Sequence, residues 1–171
     1  MKLIFYPDKW LTTEVKPFNF EEHDAKIIEN QMITLMNISH GVGLSANQVG
    51  LDAQIFVMTN KFGEKFSIIN PTVIAAGKEV IEGEEGCLSF PGLFLKVKRA
   101  QSIAVEFYDV KGDKQNLEFT DWDARVFQHE FDHLYGVNFI NRVSKLRLDM
   151  AKKKQDKLFK KVLKAQQQNK K

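Results

Sequence analysis

An α+β fold with antiparallel-rich sheets is what the order of patterns in this sequence predicts. Three observations carry it: an amphipathic helical segment near the N-terminus, a run of short Ile/Val/Phe-rich segments punctuated by glycine, and two helical segments at the end. The chain has 171 residues, 43% of them hydrophobic and 27% charged. That length predicts one domain, 1–171, with 142–171 as a basic helical tail. The composition excludes wholesale disorder and low complexity.

The opening LIFYPDKWLTTEVKPF reads as an extended arm, since Pro7 and Pro17 break any helix. Asn19 can cap a helix from Phe20, with Ala25, Ile28, Met32, Leu35 and Met36 at helical spacing and a stop near His40-Gly41. GVGLSANQVG then reads as a glycine-punctuated loop. Strands are expected at 53–58, 65–70, 78–85, 101–109 and 114–120, with Gly112-Asp113 as the best hairpin turn. Thr120-Asp121 caps a second helix that Gly136 stops. The last helix, roughly 144–168, sets Leu146, Met150, Leu158 and Val162 among many lysines, with packing on the body open for its first half.

Charge is unevenly spread. Residues 142–171 hold 12 of the 25 Lys and Arg against two acids, a net +10, which leaves the other 141 residues at −7. Such a tail suits an anionic partner, nucleic acid first, or is simply a solvated helix. Uncharged stretches fall short of the ~20 apolar residues a membrane helix needs. The N-terminus meets Pro7 and Asp8 too early for a signal-peptide core. A single cysteine, Cys87, permits no internal disulfide and fits a reducing compartment.

The helix around 121–135 contains His129-Glu130-Phe131-Asp132-His133. Histidines at i and i+4 share a helix face, so two imidazoles can converge on one metal ion while Glu130 stands beside it to take a proton from water. Two histidines leave the site short of a ligand. Downstream of His133 there is no His, Glu or Cys, only Asp149 and Asp156 among lysines; His23 and His40 read as surface or capping residues. Cys87, on a backbone made supple by Gly83 and Gly86, is the better third ligand. A Cys-His-His set suits Zn, Fe(II), Co or Ni without choosing among them. The competing Cys-His nucleophilic pair leaves one histidine and Glu130 without a task. Gly41–Gln48 is weak alone: no Gly-Lys-Ser/Thr follows, and it does not join a strand to a helix.

Taken together, Gly41–Gln48, Glu85–Ser89 and Gln128–Gly136 match, in order and spacing, the three motifs of the peptide deformylases, and the sequence resembles that family over roughly residues 1–145. Ala-Arg-Val-Phe before Gln128 looks closer to the plant-organelle type and its bacterial and phage relatives. The resemblance implies that family's fold, with sheets around the central metal-binding helix. It also implies removal of the N-formyl group from the initiator methionine of nascent chains. Cys87, His129 and His133 would hold one divalent ion, Fe(II) in the family's native form, with Zn, Ni or Co substituting. Glu130 would act as general base and then acid, while the Gln48 amide and Leu88 N–H stabilise the oxyanion. Val42, Gly43, Gly86 and Val126 would contact the peptide, Gly43 through its backbone. Glu85 would accept the second N–H of a ligand histidine, and Asp132 would pair with Arg99.

Two departures stand out. Many members of the family carry an arginine facing the substrate a few residues after the Cys-Leu-Ser-x-Pro stretch; here the segment reads Pro91-Gly92-Leu93-Phe94 with no charge until Lys96, which suggests more apolar contacts beyond the methionine. Ser45 and Asn47 stand where Ala and Thr or Pro are frequent. A zincin-like metallopeptidase would need a ligand after His133. A ribosome- or RNA-binding module would need a basic body. The protein is expected in the cytoplasm of a bacterium or phage-infected host, or as a mature organellar form, with monomer as the default and no membrane contact; a nascent-chain substrate together with the +10 tail suggests docking near the ribosome exit through the basic helix, the alternative being a solvated helix.

Overall fold

A computed structural model describes residues 1–168, with side chains to 164; Lys170 and Lys171, counted in the tail's charge, lie outside the described residues. Helix α1 (Ala25–Ile38) leads into strands β1 (Gly43–Ser45), β2 (Ile55–Thr59) and β3 (Lys65–Ala76). Strands β4 (Val80–Cys87) and β5 (Phe90–Ala100) come next, then β6 (Ser102–Tyr108) and β7 (Lys114–Thr120). Helices α2 (Asp121–Leu134) and α3 (Lys145–Gln168) complete the chain. One sheet has five strands in the order β1-β2-β3-β6-β7 and the other pairs β4 with β5; every pairing is antiparallel. The α+β expectation is borne out.

The five-stranded sheet is covered on both faces, and β2 shows why. Its Phe56 and Met58 pack with Phe127 and Leu134 of α2, while Ile55 and Val57 pack with Met32 and Met36 of α1. Alternate side chains point to opposite faces, so a strand buried on both sides reads as an unbroken apolar run. Phe127 meets Phe56 edge-on at 5.2 Å between ring centres, a preferred aromatic geometry. A third cluster joins Leu93, Leu95 and Val97 of β5 to Leu11 and Phe139. Helix α2 is thus held between the large sheet and the small one.

Several boundaries differ from the sequence reading. Asn19 closes a turn by accepting from Glu21 N at 3.0 Å, and the cap of α1 is Asp24, which accepts from Ile27 N at 2.9 Å. Strand β3 continues through Pro71 because Asn70 turns to φ 48° and its amide bonds Phe18 N and O in place of a strand partner. Thr120 makes no side-chain cap; Asp121 opens α2 at φ 51° and is tied to Gln101 instead. The glycine loop contains β1. Strand β5 went unread because Pro91, Gly92 and three cations interrupt it, yet Leu93, Leu95 and Val97 alternate inward.

The packing left open for the last helix does not run through the apolar residues named from the sequence. Leu146 and Met150 are 70% and 64% exposed, and Leu158 and Val162 are exposed too. The inward positions are Leu148 and Ala151, with Gln155 Nε2 donating to Pro91 O at 2.6 Å. Helix α3 therefore rests on β5 along a stripe offset from its most apolar residues.

Candidate metal centre

Cys87 ends β4, next to an irregularity in the β4–β5 register. His129 and His133 lie one turn apart on α2, their ring centres 5.1 Å from each other. The fold brings these three residues together: one ligand atom from each lies within 4.8 Å of the others, and Cys87 Sγ is 3.3 Å from His133 Nε2. No other such group of three occurs among the described residues. Asp149 and Asp156 lie on α3, and His23 leans on Phe18 at 5.3 Å. His40, at φ 57°, stands at the rim of the cleft. A soft thiolate with two imidazoles fits a borderline divalent ion of the Zn or Fe(II) kind.

The ring of His129 is oriented by Glu85, whose Oε2 lies 2.9 Å from Nδ1, leaving Nε2 for the centre. Arg99 grips the same carboxylate with two bonds of 3.0 Å, and Arg125 adds one of 2.8 Å. Arg99 also donates to Asp132 Oδ2 at 2.5 Å, and Arg142 closes the ladder on Asp132. All but Arg142 are buried. Burial alone would push the Glu85 carboxyl up, but the bonds from His129 and Arg99 outweigh it and hold its pKa at about 2. Glu85 is therefore a fixed anion beneath the histidine.

Glu130 is buried beside the ligands, and burial raises its pKa. Ser45 Oγ lies 2.6 Å from its Oε2. A Cβ at Gly43 would come within 2.2 Å of its Oε1, so only glycine leaves room for the carboxylate there. From the next turn, Asn47 donates its amide to the carbonyl of His133. Gln48 Nε2 lies 3.3 Å from Cys87 Sγ and 3.1 Å from Ser89 Oγ. Ile4 N and Tyr6 N donate to the carbonyls of Gln48 and Ser89, so the N-terminal arm fastens both segments from below.

A cleft of about 410 Å³ opens onto this cluster. Val42 and Gly43 line it from β1, Gly86 from β4, and Val126 from α2, with Leu88 beside Cys87. Strand β1 is the edge of its sheet on this side, so its outer backbone faces the cleft. Sequence reasoning did not assign Arg125, Arg142, Ser45 or Asn47 to the site. The signal for Arg125 was available: a cation one turn before His129, amid Ala124, Val126 and Phe127.

Residues 1–149 match the family model described as polypeptide deformylase. The peptide deformylase of Borreliella burgdorferi is 39% identical over 142 residues, which are 82% of this chain and 86% of that protein. The chloroplastic peptide deformylase 1B of Oryza sativa is 37% identical over 148 residues, 84% of this chain and 55% of that one. Among solved structures, a peptide deformylase from Synechococcus elongatus in complex with actinonin superimposes with a TM-score of 0.85 at 32% identity. It covers 91% of this chain and 87% of its own.

The ionic ladder yields a stability test. Replacing Arg99 by Met leaves the buried carboxylates of Glu85 and Asp132 short of their shared cation. The expected cost is about 3–5 kcal/mol, read as a lower urea midpoint with the slope unchanged. A loss below about 1 kcal/mol would show that Arg125 and Arg142 suffice without it.

Proposed function

The chain belongs to the peptide deformylase family, hydrolases that take the N-formyl group off nascent peptides, and from that premise we propose how its own residues carry the reaction. Cys87, His129 and His133 hold one divalent ion, Fe(II) in the cell, with Zn, Ni or Co able to replace it. When bound, the ion supplies Lewis acidity that polarises a carbonyl and acidifies nearby water. The observation that carries this reading is the convergence of the three ligand atoms within 4.8 Å of one another, with Glu130 on the same helix.

Glu130 takes a proton from the water that attacks the formyl carbon. Its raised pKa suits a carboxylate that must keep that proton until the amine departs. As the C–N bond breaks, Glu130 returns the proton to the methionine nitrogen, giving formate and a free N-terminus. Gln48 Nε2 and the Leu88 N–H are neutral donors toward the developing oxyanion, a form of stabilisation that needs donors fixed in advance. The Ser45–Gln48 bond of 2.8 Å and the N-terminal arm supply that fixity for Gln48. The peptide lies extended along the β1 edge, meeting Val42, Gly43 and Gly86, with its methionine side chain on Val126. Glu85 with Arg99 and Asp132 keeps His129 in its orientation.

We further propose one catalytic domain over 1–171, acting as a monomer in the compartment where formylated chains are made. Relatives include bacterial and chloroplastic proteins. No described helix is long and apolar enough to cross a membrane. The basic residues of α3 dock near the ribosome exit, a surface rich in RNA phosphate.

Three measurements test this reading. Cys87→Ser should lose its metal, counted as ions per chain, because a hydroxyl replaces a thiolate poorly; full occupancy would remove Cys87 from the ligand set. Glu130→Ala should keep the ion and release formate about 10²–10⁴-fold more slowly from formyl-methionyl peptides. Near-normal turnover there would make Glu130 a bystander. Removing residues 160–171 should leave turnover of short formyl-peptides intact and weaken ribosome binding, which in the full chain should fall steeply with added salt. A salt-insensitive or absent affinity would leave the tail a solvated helix.

A further inference from the structure

His129 and His133 face the same centre, yet only His129 has its second ring nitrogen accounted for. A histidine that binds a metal through Nε2 carries its hydrogen on Nδ1, and that hydrogen needs an acceptor. For His129 the acceptor is Glu85, 2.9 Å away. His133 presents Nε2 to Cys87 Sγ at 3.3 Å, so its Nδ1 faces away from the centre. That Nδ1 is buried and has no hydrogen-bond partner among the described residues.

Two other buried side-chain atoms are in the same condition among the described residues, Asn47 Oδ1 and Asn138 Oδ1. Both belong to fully buried asparagines held at the end of α2. Asn47 donates its amide to the carbonyl of His133, which also accepts from Gly136 N at 2.9 Å. Asn138, two residues past Gly136, donates its amide to Leu11 O at 2.7 Å. Leu11 lies in the helical turn Lys9–Thr12, which packs against the turn Ala46–Val49 that carries Asn47. The two asparagines and the histidine thus meet at one junction. Each amide N–H is spent on a carbonyl, and the two amide oxygens are left over.

The remainder is one donor and two acceptors, and leaving buried groups of this kind unpaired is costly. A water molecule is their complement, since it accepts one hydrogen and donates two. Buried waters typically make about three bonds to such groups. We propose that Asn47 and Asn138 are positioning residues for the ligand His133, acting through one buried water that accepts from Nδ1–H and donates to both amide oxygens. The proposal rests on the Cys-His-His metal reading above. It gives the second histidine what Glu85 gives the first, with a neutral partner in place of an anion. Thr or Pro is frequent in the family where Asn47 stands, and proline has no side-chain acceptor at all. The bridge is therefore a feature of this chain.

A high-resolution crystal structure of the zinc-loaded protein should show one water within about 3 Å of all three atoms. A protein oxygen bonded directly to Nδ1, or a water there that touches neither asparagine, would overturn the proposal. Zinc affinity, read by chelator competition, should weaken about 10–100-fold in Asn47→Leu and in Asn138→Leu, which keep the shape and remove the oxygens. Asn47→Ser, which keeps an oxygen, should recover part of the loss. Unchanged affinity in both leucine variants would overturn the proposal. The hydrogen on Nδ1 separates positioning from general loosening. Followed by NMR of the zinc protein with labelled histidines, that of His133 should exchange with solvent faster in both leucine variants, while that of His129 stays protected by Glu85. Equal acceleration at both histidines would mean that the asparagines only hold the fold. A wild-type protein whose zinc is not bound by His133 would overturn the metal reading itself, and this inference with it.

Discussion

One buried carboxylate ties the site to the fold. Glu85 comes from the small sheet, one of its cations from β5, the other from α2, and the histidine it orients is also on α2. Four groups from three elements meet at two oxygen atoms. A buried charge held this way is costly to leave incomplete, so β4, β5 and α2 must assemble together. Cys87, two residues after Glu85 on the same strand, is carried into place by the same bonds. The distance between thiol and imidazoles is thereby set by packing and ion pairing before any ion arrives.

The large sheet fixes the other half of the site. Strand β1 and the turn that follows it contribute three features in sequence: the space over Gly43, the Ser45 hydroxyl and, one turn on, the Gln48 amide. The first two position Glu130 and the third points at the ligand sulfur. Asn47 binds the carbonyl of His133 and so pins the end of α2 to the same segment. The helix is therefore referenced to both sheets, by an ionic ladder on one side and neutral hydrogen bonds on the other. The neutral side suits the region where charge develops, because the donors add no competing full charge.

How much of this was legible in the sequence depends on how local the signal is. The i, i+4 histidines and their glutamate were legible because helix periodicity alone puts them on one face. Antiparallel sheets were legible from short strands and glycine turns. Strand β5 was hidden because its inward positions alternate with Lys96, Lys98 and a proline, and because Arg99, a charged residue, is itself buried. The start of α1 was misread because Asn19 and Asp24 are both good caps, and only packing decides between them. The inward face of α3 was hidden for a similar reason: β5 selects Leu148 and Ala151 over more apolar neighbours. Ser45 and Asn47 looked like neutral departures because their partners lie about 85 residues away, beyond any local pattern.

X-ray absorption of the metal-loaded protein tests the central claim most directly, since it reads the ion's neighbours without relying on activity. The account predicts one sulfur at about 2.3 Å and two imidazole nitrogens at about 2.0–2.1 Å, if zinc is the probe ion. A shell of oxygen and nitrogen with no sulfur would contradict it, because Cys87 would then stand outside the centre that Glu85 and its cations are arranged to support.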